Sequence, residues 1–228
     1  MKKAFKALVI LLCVGTFCIP STFGQKKFKG IITYAITYGG TIDAATAAMQ
    51  PKITTLAIYE NKQKSTTSTQ GVTFDEITDG DNKSKITLLD LMGQKVYFKT
   101  STTEIEAEIA ENPEPEIKYS EETKSVAGYN CKKADYIMQN EDGETISSVV
   151  YYTEELGGEL LNYGGQFNKL KGVPLEYTMT TPDGKIITFA ASEVKRGKVK
   201  DTDFLIPADY VELSAEEKQQ LLNQLKGQ

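Results

Sequence analysis

The stretch SVAGYNCKKADY carries a single sulfur, Cys131, next to Lys132 and Lys133. Cations beside a thiol lower its pKa and favour the reactive thiolate. The setting therefore admits a nucleophile, a metal ligand or a small buried side chain. Read as a strand, it puts Ala127, Tyr129 and Cys131 on one face and Asn130 and Lys132 on the other. Free cysteine is among the most buried residue types. The expectation is thus a small apolar side chain inside a sheet that reacts slowly with thiol reagents.

The rest of the composition narrows the chemistry further. Histidine is absent, which removes the Ser-His-Asp triad, the Cys-His pair and the usual imidazole ligands of zinc, copper and haem iron. One thiolate alone cannot build a sulfur-ligated metal site. Paired carboxylates would still serve glycosidase chemistry, yet the spacing of the acids singles out no pair. The two Gly-Gly pairs in ELGGELLNYGGQF match neither a P-loop nor a dinucleotide fingerprint and read as breaks around one short helical turn. DGDNKS, from Asp79, resembles a calcium loop only faintly. Its sixth residue is Ser84 where an EF-hand needs glycine, and its twelfth is Asp90, so a polar hairpin tip is the better reading. No catalytic residue, metal ligand or cofactor is assigned, and the chain is not expected to be an enzyme.

The elements that would position any site are mostly strands. In FKGIITYAITY, Phe28, Ile32, Tyr34, Ile36 and Tyr38 fall on one face and Lys29, Thr33 and Thr37 on the other, the period of a half-buried strand. KITLLDL and KVYFKT form a hairpin turning at Gly93. ETKSVAGYNCKKADYIM reads as two short strands joined near Gly128, and Asp142-Gly143 is a favoured turn. PLEYTMTTPDGKIITFAASEV alternates on both sides of Pro182-Asp183-Gly184. EIAENPEPEIKYSEE, with Pro113 and Pro115, reads as a solvated connector. Ser214 and Glu217 make a capping box for a last helix with a narrow Leu221, Leu222 and Leu225 stripe. About ten strands with two or three short helices suggest one antiparallel domain. ITTLAIY and SSVVYY are apolar on both faces, so helices or long loops must cover a curved sheet.

The first 24 residues have the layout of a secretory signal: a basic MKK start, the apolar run ALVILLCVGTFCI, then small residues before a cleavage point near Gly24 and Gln25. Cys13 and Cys18 follow bulky residues, which fits lipoprotein processing badly. No later apolar run is long enough to cross a bilayer. Three of the 26 basic residues leave with this segment and no acidic one does, so 23 bases face 31 acids, a net charge of −8. That balance disfavours nucleic acid and anionic lipid surfaces as partners. The expected division is a signal peptide at 1–24, one β domain at 25–212, and a C-terminal helix or tail at 213–228.

FKGIITYAITY, ETKSVAGYNCKKADY, VVYYTEEL, LKGVPLEYTM and VKDTDFLIPADY resemble, in order and spacing, pieces of a family of secreted bacterial proteins whose domain is known only as one of unknown function. More distantly, the arrangement resembles the periplasmic lipoprotein carriers of the LolA type. That resemblance implies a mainly β fold: a curved antiparallel sheet, an incomplete barrel closed by short helices, with an apolar concave face that holds acyl chains. The expected function is an envelope protein, periplasmic or secreted, that holds a lipid, a lipoprotein acyl chain or another apolar molecule. The alternative is an interaction domain for another envelope protein. Tyr34, Ile36, Tyr59, Tyr97, Tyr151, Tyr177 and Phe189 are the expected lining.

Overall fold

The computed structural model describes residues 27–40, 44–111, 114–139, 145–180 and 184–226. The expected signal segment and the Asp142-Gly143 and Pro182-Asp183 turns lie outside these residues. Twelve strands form one sheet: β1 (Lys29–Tyr38), β2 (Ile53–Tyr59), β3 (Lys62–Thr69), β4 (Val72–Asp79), β5 (Ser84–Leu91), β6 (Gln94–Thr100), β7 (Glu116–Val126), β8 (Tyr129–Gln139), β9 (Thr145–Thr153), β10 (Val173–Thr180), β11 (Ile186–Arg196) and β12 (Val211–Glu212). The spatial order is β12-β6-β5-β4-β3-β2-β1-β11-β10-β9-β8-β7. Every pairing is antiparallel except β12 on β6. The two ends of this order do not pair, so the sheet is a curved, unclosed barrel, as the resemblance implies.

Local chemistry explains the hairpins. Gln70-Gly71, Met92-Gly93 and Ala127-Gly128 each have two positive φ values in succession. This is the two-residue turn whose twist matches that of the flanking strands. The DGDNKS tip is held by Asp79, whose Oδ1 accepts from the backbone N–H groups of Asp81 and Asn82 at 3.1 and 3.0 Å. It is the polar hairpin tip that the sequence suggested.

Among the described residues three short α-helices accompany the sheet: α1 (Ala44–Met49), α2 (Thr102–Glu111) and α3 (Ala215–Lys226). The reading of 108–122 as a connector is corrected at both ends, because α2 runs to Glu111 and β7 starts at Glu116. Ser101 and Glu104 cap α2 reciprocally: Ser101 N–H donates to Glu104 Oε2 at 2.8 Å, and Glu104 N–H to Ser101 Oγ at 3.3 Å. β7 is charged and largely exposed, so it shows no apolar alternation to betray a strand. The hairpin of β7 and β8 is also long, 11 residues a side.

Both faces are covered, each by irregular chain. On the outer face the stretch after β11 lays Val199 and Phe204 on Ile77 and Leu88, with Ile206 and Tyr210 alongside. On the concave face the segment 154–172, between β9 and β10, crosses the hollow. It contributes Leu156 and Leu161 to a cluster with Ile32, Tyr34 and Ile58. Phe167 and Leu170 go to a second cluster with Ala134, Tyr136, Val150 and Tyr152. Each such buried side chain is worth about 1.5–3 kcal/mol of apolar burial.

Candidate functional site

The crossing segment is pinned at several points. Asn162, itself buried, donates from Nδ2 to the carbonyls of Leu170 at 2.8 Å and Gly172 at 2.9 Å. Lys85 Nζ donates to Gly164 O at 2.8 Å, and Tyr136 OH donates to Asn168 O at 3.1 Å. Gly80, at the end of β4, passes so close that a Cβ there would lie 2.1 Å from Leu160 O. The segment therefore reaches from β10 across to the tip of the β4–β5 hairpin. It fills one end of the hollow and leaves the other open.

What remains is a recess of about 400 Å³, within the size range of small-molecule sites. One wall is aromatic. Tyr177 stacks on Phe189 at 4.8 Å with the planes 10° apart, Phe167 meets Tyr177 edge-on at 4.8 Å, and Tyr34 lies 6.4 Å from Tyr177. Tyr34 is fixed by its hydroxyl, which donates to Pro174 O at 2.8 Å. Burial pushes the phenols of Tyr34 and Tyr177 well above their ordinary pKa, so both stay neutral. The facing wall comes from β2, β3 and β4 and is polar, with Thr54, Thr67, Gln63, Ser65 and Glu76. Leu56, Phe74 and Met179 add apolar surface, and Phe74 is 38% exposed at the open end.

The expected lining residues divide by face. Tyr34, Tyr177 and Phe189 line the recess. Ile36 is buried and pairs with Phe189 across β1 and β11, so it shares their face but does not reach the recess. Tyr59, Tyr97 and Tyr151 are corrections, since none of them lines the recess. Tyr59 packs on Phe204 at 6.3 Å, beneath the outer covering chain. Tyr97 OH donates to Glu212 at 2.8 Å, at the β12 edge. Tyr151 OH donates to Glu122 at 2.9 Å, with the Lys124 ammonium 5.1 Å from its ring centre. Phe167 was not legible, because it sits in a Gly-rich segment with no period. Gln63, Ser65 and Glu76 were passed over because polar strand residues read as solvent-facing.

A second recess, of about 460 Å³, lies across the 164–169 strip from the first. Ile109 and Ala110 of α2, Pro115, and Tyr136 and Met138 of β8 line it, together with Glu108, Glu114 and Lys169. It lacks the aromatic wall.

Cys131 lies outside both recesses and is fully buried. Its neighbours Lys132 and Lys133 pair with Glu154 and Glu122 at 3.7 and 3.2 Å. Burial raises the thiol to about 11, so it is protonated at neutral pH and a poor nucleophile. Among the described residues no group of three or more Cys, Asp and Glu gathers as a metal site. Among the described residues Glu76 is the one carboxylate that lines the first recess.

No known family model matches the sequence, and no curated relative does. One similar solved structure is provisionally described as an outer membrane lipoprotein-sorting protein domain from Vibrio parahaemolyticus. The two are 10% identical, with a TM-score of 0.31 over 78% of this chain and 89% of that one. A likeness of that size says nothing about what this chain binds. Among the described residues no helix is long and apolar enough to cross a membrane.

Proposed function

We propose that this is an exported protein of the bacterial cell envelope that holds a small apolar or amphipathic molecule in the open end of its half-barrel, without catalysis. The leader-like first 24 residues support export, to the periplasm or beyond. The observation that carries the binding reading is the recess itself: a roughly 400 Å³ space left beside Tyr34, Tyr177, Phe189 and Phe167 where a closed core would have filled it. Cores pack to crystal-like density, so aromatic side chains that leave such a space open point to a guest. The free edge strand β7 offers little support for the scaffold alternative. It carries Glu116, Lys118, Glu121 and Lys124 and an irregularity between Tyr119 and Thr123, features that discourage edge-to-edge pairing.

The test is native mass spectrometry of the protein isolated from its own envelope, beside a Ser65→Phe variant. Ser65 lines the recess, so a phenyl ring there occupies the space. A small molecule that accompanies the parent protein and is lost from the variant supports the reading. A molecule retained equally by both, or a parent protein that carries none, counts against it.

A further inference from the structure

The two walls of the recess are chemically unlike, and the difference bears on what the guest is. This rests on the reading that the hollow holds a guest. Along the aromatic wall a hydrocarbon body or a flat ring loses water without losing a hydrogen bond. Along the facing wall three side chains converge from adjacent strands: Gln63 and Ser65 of β3 and Glu76 of β4, with Ser65 and Glu76 directly opposite each other across the pair. Among the described residues none of these three side chains makes a hydrogen bond to the protein, and neither does the Tyr177 hydroxyl. The nearest charge to Glu76 is Lys85 Nζ, at 3.7 Å. That ammonium is already donating to Gly164 O at 2.8 Å and is not part of the recess lining. The contrast with Thr54 is informative, because its hydroxyl is bonded to Thr67 Oγ1 at 2.7 Å.

The sign of the charge then selects among amphipathic guests. Among the described residues no lysine or arginine lines the recess, and Glu76 is its one carboxylate. A carboxylate or phosphate headgroup entering here would be desolvated beside a like charge, and the nearest ammonium, Lys85, is already shared between Glu76 and Gly164 O. An ammonium would meet a carboxylate that accepts no hydrogen bond from the described residues, and charge-assisted hydrogen bonds are roughly twice as strong as neutral ones. Gln63 Oε1 and Ser65 Oγ would accept its remaining protons. We infer that the Gln63–Ser65–Glu76 cluster is a headgroup subsite, and that the guest class is an amphiphile with an apolar body and a primary amine, not an anionic fatty acid or phospholipid.

The experiment compares three probes of one chain length, dodecylamine, dodecanol and dodecanoate, each below its aggregation concentration. Binding to the mature protein is followed by titration calorimetry at pH 7. The expected order is amine, then alcohol, then acid, with the amine at least about tenfold tighter than the acid, a gap of about 1.4 kcal/mol. Glu76→Gln should bring the amine to within about threefold of the alcohol, with circular dichroism confirming the fold. Dodecanoate binding as tightly as dodecylamine would overturn the headgroup assignment and leave the guest-holding reading standing. A preference for amine that survives Glu76→Gln would overturn the role given to this cluster. Failure of all three probes to bind would overturn both readings together.

Discussion

The two ends of the hollow are built from the same strands and do opposite things. At one end Ile32, Ile58, Leu156 and Leu161 are packed to between 0 and 1% exposure. The segment 154–172 is laid over them and locked by Asn162. At the other end the same β1–β4 sheet presents Thr54, Thr67, Gln63, Ser65 and Phe74 to open space. The difference is not one of strand geometry, since the register runs unbroken from β2 to β5. It comes from where the long connection between β9 and β10 lies. A half-barrel has one apolar face more than its own strands can bury. Here a single loop covers part of it, and the uncovered part is where function is expected.

Breaking that contrast gives effects of graded size. The largest should be in the reactivity of Cys131, which belongs to the closed end's cluster. Its pKa of about 11 lowers the thiolate population at neutral pH by roughly a hundredfold relative to a free thiol, and burial slows access further. Labelling by a disulfide reagent should therefore be slow in the native protein and fast in urea. Fast labelling without denaturant would mean that the closed end opens. Next in size, Leu161→Ala should lower unfolding free energy by about 2–5 kcal/mol, whereas Met179→Ala at the open end should cost clearly less than about 2 kcal/mol. Urea denaturation measures both, and equal losses would deny that the two ends differ in packing. Asn162→Ala leaves the Leu170 and Gly172 carbonyls without their donor. It should cost about 1–3 kcal/mol, and hydrogen exchange should speed up within 154–172 before it does elsewhere.

The smallest effect concerns the C-terminal helix. Lys218 of α3 donates to Glu104 Oε1 at 2.5 Å and to Lys99 O at 2.9 Å. The hydrogen bond from Lys218, with those from Ser101, holds Glu104 down to about 2. Because the folded pKa is depressed, the support is present in full above the ordinary glutamate value and fades as pH falls from about 4.5 to about 2. Glu104 is half exposed, though Lys218 is largely covered, so the pair is worth at most about 1 kcal/mol. Limited proteolysis should release α3 sooner at pH 3 than at pH 6, and Glu104→Gln should remove the difference.

Much of the architecture could be read from the chain, and the reasons for the failures are specific. Alternation placed Tyr34 and Ile36 on the concave face because Lys29, Thr33 and Thr37 mark the other side. β2, β6 and β9 carry apolar groups on both faces. Since both faces are covered in the folded protein, the sequence could not tell whether Tyr59, Tyr97 and Tyr151 point in or out. Tyr59 and Tyr97 pack on the outer cluster, towards Phe204 and Glu212, whereas Tyr151 packs beside the closed-end cluster with its hydroxyl on Glu122. Phe167 had no period to announce it. α2 did have a signal, the Ser101 and Glu104 capping box, which the prolines just beyond it masked. The polar wall was invisible for a different reason. A threonine- and serine-rich strand such as KSTTSTQG reads as a solvated surface, and only the fold turns that surface inward.

The most direct test of the guest-holding claim is an NMR measurement on the mature protein with dodecylamine bound. Intermolecular NOEs should connect the dodecyl methylenes to the ring protons of Tyr34, Phe167, Tyr177 and Phe189. NOEs confined to Tyr59 or Tyr97 on the outer face, or none at all with the probe in excess, would contradict the account.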